Sequence, residues 1–169
     1  VQAGVLKMFR SINIGGRFIT EYLARELGIS YLRAQELKHK VSAVISVKSS
    51  SYSGTSNAED KKVAEAMTRA CDSLAREIGR TLFSFKDWEK EPVDRIFLSG
   101  GTSFIKNLDK HLESSLKIKC QKVDLSQGEY LVGTNLKDKT PQIVQGIAIA
   151  LRATSNFKDG SRINLRKGE

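Results

Sequence analysis

The stretch Arg95-Ile-Phe-Leu-Ser-Gly-Gly-Thr-Ser-Phe-Ile-Lys-Asn-Leu-Asp109 decides how the rest of this chain is read. Its uninterrupted Ile96-Phe97-Leu98 predicts a strand buried on both faces, as in a parallel sheet. Gly100 and Gly101 then form a turn in which either residue can take positive φ and bring bare backbone close to a ligand or another segment. The spacing of Ile105, Leu108, Leu112 and Leu116 predicts a helix over residues 104–116, whose first N–H groups would face whatever lies above the turn. A tight connection uses the same residues, so the turn alone does not choose between binding and packing.

On the N-terminal side, residues 4–14 alternate, with Leu6, Met8, Ile12 and Ile14 in one phase, which predicts a strand ending at Gly15-Gly16. Thr20 is placed to cap a short helix carrying Leu23 and Leu27, and Gly28 follows at the left-handed C-terminal position. Ser30 is placed to cap a helix over residues 31–41, with Ala34, Leu37 and Val41 inward. Residues 42–54 are rich in Ser and have no helical period; they read as a mobile loop with room for a short strand at residues 44–47. Ser56 with Glu59 forms a capping-box pattern that opens a long helix. Its stripe of Val63, Met67, Ala70, Leu74, Ile78 and Leu82 runs to about residue 85 and reads as core, with a partner-binding face as the alternative.

Beyond the quoted stretch, residues 121–125 read as a further strand. Thr140-Pro141 opens a last helix, with Pro at the first helical position, Ile143, Ile147 and Leu151 inward, and Gly146 allowing close packing. Strands alternate with helices, which predicts an α/β layer structure rather than a helix bundle. The expected organisation is one lobe over residues 1–152 and a basic tail over residues 153–169.

Composition agrees with a folded domain: 169 residues, 40% hydrophobic and 28% charged, allow one sizeable core. The net charge of +9 does not point to nucleic acid, because the 28 basic residues are spread along the chain among 19 acidic ones. Cys71 and Cys120 lack metal-ligand spacing and read as two buried free thiols. His39 and His111 are isolated, Asp60 and Asp72 are expected on a solvated helix face, and no Ser-His-Asp or Cys-His set has recognisable spacing. No catalytic residue and no metal site are assigned.

Three pieces together resemble the second lobe of the actin-like, ribonuclease H-like ATPase fold. Leu98-Ser-Gly-Gly-Thr102 resembles the adenosine turn of actin and Hsp70-type proteins. Gly15-Gly16 resembles their glycine pair near the ribose and inner phosphates, and Ala34-Gln-Glu-Leu-Lys38 resembles the helix whose acid and base bracket the nucleotide sugar. Within that superfamily the chain is similar to the type IV pilus assembly M protein and to the cytoplasmic domain of the type II secretion L protein. The run Ile14-Gly-Gly-Arg-Phe-Ile-Thr20, then Gly28-Ile-Ser30, Ala34 and Lys38, carries the likeness at one end, and Gly146-Ile-Ala-Ile-Ala-Leu-Arg152 at the other. The tail segment Ile163-Asn164-Leu165 resembles a peptide that leads to a membrane helix in secretion L proteins and docks on the M protein in pilus systems.

The resemblance implies an α/β lobe whose first lobe precedes Val1, and a nucleotide site at Gly15, Gly16, Gln35, Lys38, Gly100, Gly101, Thr102 and Ser103, with ATP and magnesium as cofactors of the full-length protein. Gln35 departs from the family's acid, and Lys106 stands where actin-type turns usually continue with Pro. The metal-binding and water-activating carboxylates belong to strands before Val1, so hydrolysis is not expected of this stretch. The function implied is a cytoplasmic scaffold of a secretion or pilus machine, on the cytoplasmic face of a bacterial inner membrane. It would link an assembly ATPase to inner-membrane assembly proteins, with Ile163, Asn164 and Leu165 as the docking peptide. A homodimer is left open. The alternatives are a nucleotide-binding ATPase, a cytoskeletal filament protein or a sugar-kinase-like enzyme of the same fold.

Overall fold

The computed structural model describes residues 6–45, 58–89, 92–124 and 140–153. Five α-helices and a two-stranded parallel sheet make up the described part: α1 (Gly16–Leu27), α2 (Tyr31–Val41), α3 (Ala58–Glu89), β1 (Arg95–Leu98), a 3-10 turn (Gly101–Phe104), α4 (Leu108–Leu116), β2 (Lys119–Lys122) and α5 (Thr140–Ala153). Among the described residues no helix is long and apolar enough to cross a membrane.

Helices α1, α2 and α3 pack on one another, and their facing sides form the main core. Local chemistry explains α2 well. The Ser30 hydroxyl accepts from the Arg33 amide at 3.3 Å, and Ala34, Leu37 and Val41 are buried, as the spacing predicts. Gly28 ends α1 at φ 65°, a left-handed conformation that costs glycine little. From α3, Val63, Met67, Ala70 and Cys71 enter the core, whereas Leu74, Ile78 and Leu82 are only partly buried. The stripe is core in its first half and thins toward Glu89.

β1 and β2 pair in parallel register, Arg95 with Lys119 through Leu98 with Lys122, connected through the 3-10 turn and α4. Ile105, Leu108 and Leu112 are buried under this unit, and Cys120 is buried in β2.

The structure corrects several expectations. Residues 6–14 form no ladder, because the described residues offer them no partner strand; Met8, Ile12 and Ile14 are half-buried as expected, but Leu6, expected inward, is 65% exposed. Thr20 does not cap α1; the helix starts a turn earlier at Gly16, with Gly15 as its N-cap, and Thr20 lies buried in the second turn. The helix expected from residue 104 is split: the backbone leaves the 3-10 turn at Ile105, and α4 opens only after Asn107, at φ 63°. β1 is not buried on both faces; Phe97 is 57% exposed, because the described residues cover only one side of the sheet. The last helix begins at Thr140 rather than Pro141. Asp60, expected in solvent, is 3% exposed and paired with Lys40 Nζ at 2.9 Å. His111 is buried, with Nε2 3.0 Å from Asp72 Oδ1 but not aligned for a hydrogen bond. Ser56, most of the Ser-rich loop and the tail with Ile163, Asn164 and Leu165 lie outside the described residues.

Candidate functional site

The first turn of α1, the end of α2, the glycine turn and the start of α5 meet around one cavity of about 360 Å³. Gly16, Lys38, His39, Ser42, Gly101, Thr102, Phe104, Ile105 and Gln142 line it. Each wall is held in place by hydrogen bonds that can be traced to the sequence.

The glycine turn is fixed from both sides. Gly100 takes φ 84°, where a side chain would be strained, and its amide donates to the Pro141 carbonyl at 2.6 Å, tying the turn to α5. The Ser103 hydroxyl donates to the Gly100 carbonyl at 2.7 Å, closing the turn on itself. The far end of the turn is joined to the end of α2, because the Lys106 amide donates to the Ser42 carbonyl at 2.8 Å and the Val44 amide donates to the Lys106 carbonyl at 3.0 Å.

The other wall centres on Lys38. Its ammonium donates to the Thr20 hydroxyl at 2.7 Å and to the Gly16 carbonyl at 3.0 Å. Thr20 in turn donates to that same carbonyl at 3.0 Å. Burial lowers the Lys38 pKa below its ordinary value, since the charged form loses water that these two oxygens only partly replace. An ammonium has three N–H donors, so one remains for a ligand after Thr20 and Gly16 are served. Gly16 sits between the two walls: a Cβ there would be 3.4 Å from Thr102 Oγ1 and 3.8 Å from Lys38 Nζ.

Of the residues predicted from sequence, the fold therefore brings Gly16, Lys38, Gly101 and Thr102 to one cavity. Gly15 is the N-cap of α1, and Gly100 and Ser103 build the turn without lining the cavity. Gln35 is exposed and also outside the lining. His39, Ser42, Phe104, Ile105 and Gln142 were not expected at the site, Ile105 being read as a core residue and His39 as isolated; His39 stands next to Lys38 on α2, and Phe104 follows the Gly-Gly-Thr-Ser run, so adjacency was the available signal for these two.

The lining suits a nucleotide in part. A volume of this order lies within the range of roughly 300–1,000 Å³ typical of small-molecule sites. Bare backbone at Gly16 and Gly101, an ammonium and the Thr102 hydroxyl offer donors to an anionic group. Among the described residues the lining contains no Asp or Glu, so these residues do not fit a magnesium ion, which takes carboxylate oxygens.

A family model described as type IV pilus assembly protein PilM matches residues 1–154. Among solved structures, the chain is similar to one in a PilM-PilN type IV pilus biogenesis complex, with a TM-score of 0.63 and 20% identity. That match covers 85% of this chain and 38% of the solved chain, so it shows the fold over a little more than a third of that protein. No curated protein matches.

Proposed function

The chain belongs to the actin-like type IV pilus assembly protein PilM family, and on that footing we propose that it works as a cytoplasmic scaffold of the pilus machine. It holds an assembly ATPase on one side and inner-membrane assembly proteins on the other, and the cavity at the glycine turn takes a nucleotide as a structural or switching ligand.

The observation that carries this reading is the chemistry of the cavity wall. Two glycine turns and the Lys38 ammonium can hold an anionic group, while none of the described lining residues is a carboxylate that could activate water or hold a metal. Such a wall favours retention of a nucleotide over its turnover. Any hydrolysis by the whole protein would draw its carboxylates from outside these residues.

The solved relative is described with PilN, and this supports an inner-membrane assembly protein as a partner here too. Ile163 and Leu165 serve as apolar anchors of the docking peptide and Asn164 as its backbone-binding polar residue. The basic residues around them, Arg162, Arg166 and Lys167, suit a segment beside anionic lipid.

The test is recruitment. Full-length protein is mixed with the assembly ATPase and with vesicles carrying the inner-membrane assembly proteins, and the vesicles are sedimented. The ATPase should sediment only when the protein is present, and less of it when Ile163→Asp and Leu165→Asp are combined. ATPase recruitment independent of the protein would overturn the scaffold reading.

A further inference from the structure

β2 pairs with β1 on one side, and among the described residues no third strand meets its other side. The register fixes which backbone groups point that way. The Val123 amide donates to the Leu98 carbonyl at 2.9 Å, so Gln121 and Val123 turn their amides and carbonyls toward β1, and those of Cys120 and Lys122 point to the free edge. The first of these donors is already taken: the Cys120 amide donates to Glu113 Oε2 at 3.2 Å. Glu113 reaches it from the last turn of α4, where the helix dipole disfavours a carboxylate. A side-chain oxygen thus stands where the carbonyl of an added strand would stand.

The exposed face beside this edge is basic. The register sets Arg95 against Lys119, two exposed like charges side by side, which is unfavourable in a sheet. Among the described residues neither has an ion-pair partner. Lys117, at the turn into β2, is exposed as well. From this geometry we infer that the free edge of β2 is a strand-addition site for an extended acidic peptide of a partner protein, with Glu113 holding the Cys120 amide until the peptide takes it. Main-chain bonds to Cys120 and Lys122 give such a peptide its footing, and a carboxylate beside Lys119 relieves the Arg95–Lys119 repulsion and sets the preference. A short edge carrying one lysine also serves to keep an edge unpaired; the second, adjacent cation is what asks for an acidic partner. No β2 residue lines the cavity, so occupancy of this edge does not depend on a nucleotide.

The experiment uses the full-length protein and labelled synthetic peptides followed by fluorescence anisotropy: an alternating Glu-Val hexapeptide, its Lys-Val counterpart, and two Glu-Val peptides N-methylated at alternate residues, one for each edge. The parent should bind Glu-Val, more weakly at high salt, and not Lys-Val. At least one of the N-methylated peptides should bind about five-fold or more weakly. Lys119→Glu should weaken Glu-Val by about three-fold or more and admit Lys-Val. Glu113→Ala, which frees the Cys120 amide, should strengthen Glu-Val by about two- to ten-fold, and Glu113→Gln, which keeps an acceptor, should strengthen it less. Hydrogen exchange should show the Lys122 amide open in the free protein and protected with the peptide bound.

Equal binding of Glu-Val and Lys-Val, no binding of Glu-Val at millimolar concentration, or binding unmoved by both N-methylations would overturn the inference. So would a Lys122 amide already protected in the free protein, since another segment of the chain would then hold the edge. Should Lys119→Glu or Glu113→Ala fail to fold, the parent's choice among the peptides and the Lys122 exchange decide.

Discussion

The Lys106 amide donates to the Ser42 carbonyl at 2.8 Å, joining the exit of the glycine turn to the end of α2 by backbone alone. The Val44 amide returns to the Lys106 carbonyl at 3.0 Å, so residue 106 uses both its backbone groups across the cavity wall. Actin-type turns usually carry Pro at this position, and Pro has no amide to donate. The departure noted in the sequence therefore has a structural use here.

Lys106→Pro is predicted to destabilise the full-length protein by about 1–3 kcal/mol, the cost of leaving a partly buried carbonyl without its donor. Ile105, at φ −56° and ψ 122°, already has a conformation suited to the residue before Pro. Urea unfolding checks this. An unchanged midpoint would mean that the link between the walls is dispensable.

Lys38 should give the site a measurable pH dependence. Burial lowers its folded pKa below 10.5, so the folded protein releases the proton before the unfolded chain does. The unfolded state then binds more protons within the window just below 10.5, and stability attributable to Lys38 rises with pH there. Comparing unfolding of the parent and Lys38→Met between pH 8 and 10.5 isolates the effect. The parent should gain on the variant as pH rises; a constant difference would show that the ammonium is not desolvated.

Cys71 shows the opposite slope. Burial, and then the neighbouring Asp72 carboxylate, push its thiol from 9.0 up to about 12. The unfolded thiol ionises first, so the folded state holds the extra proton and stability falls as pH rises from 9 toward 12, by about 1.4 kcal/mol per unit for this one group. Cys71→Ala should lack that part of the slope. Burial likewise raises the Cys120 pKa, with Glu113 and Asp109 adding to it. Neither thiol should react with iodoacetamide at pH 8 until urea unfolds the chain, and mass spectrometry reads this directly.

How much of this could be read from sequence depended on how local the cause was. α2 was legible to its ends because Ser30, Ala34, Leu37 and Val41 act within two or three turns of the same helix. Gly28 was legible because its left-handed φ is a property of one residue. Residues 6–14 have the alternation of a strand, but a ladder needs a neighbour, and no local pattern supplies one. Phe97 read as buried because its run is apolar, yet its exposure is set by which side of the sheet is covered. Of the site, Gly16, Lys38, Gly101 and Thr102 were visible as family-like motifs. Gln142 was not, since its position depends on α5 docking on the glycine turn through the Gly100–Pro141 hydrogen bond.

Asp60 illustrates the same limit with an energetic consequence. Its side chain is 4% exposed while its partner Lys40 is 56% exposed. Removing Lys40 leaves a buried carboxylate unpaired, whereas removing Asp60 leaves a lysine that water can solvate. Lys40→Met is therefore predicted to cost about 1–3 kcal/mol, more than Asp60→Asn. Part of the loss should be recovered in the double variant, and a double-mutant cycle by urea unfolding measures it. Equal single losses that simply add would refute the pairing.

The central claim, that the cavity between the two glycine turns holds a nucleotide, is tested most directly by calorimetric titration of ATP with magnesium into the full-length protein and its Gly101→Val variant. A Cβ at Gly101 would meet nothing within 4 Å, so the valine side chain starts in open space beside the cavity that Gly101 lines. The account predicts saturable binding by the parent and its loss in the variant. No binding by the parent, or equal binding by both, would contradict it and leave the turn with packing as its only role.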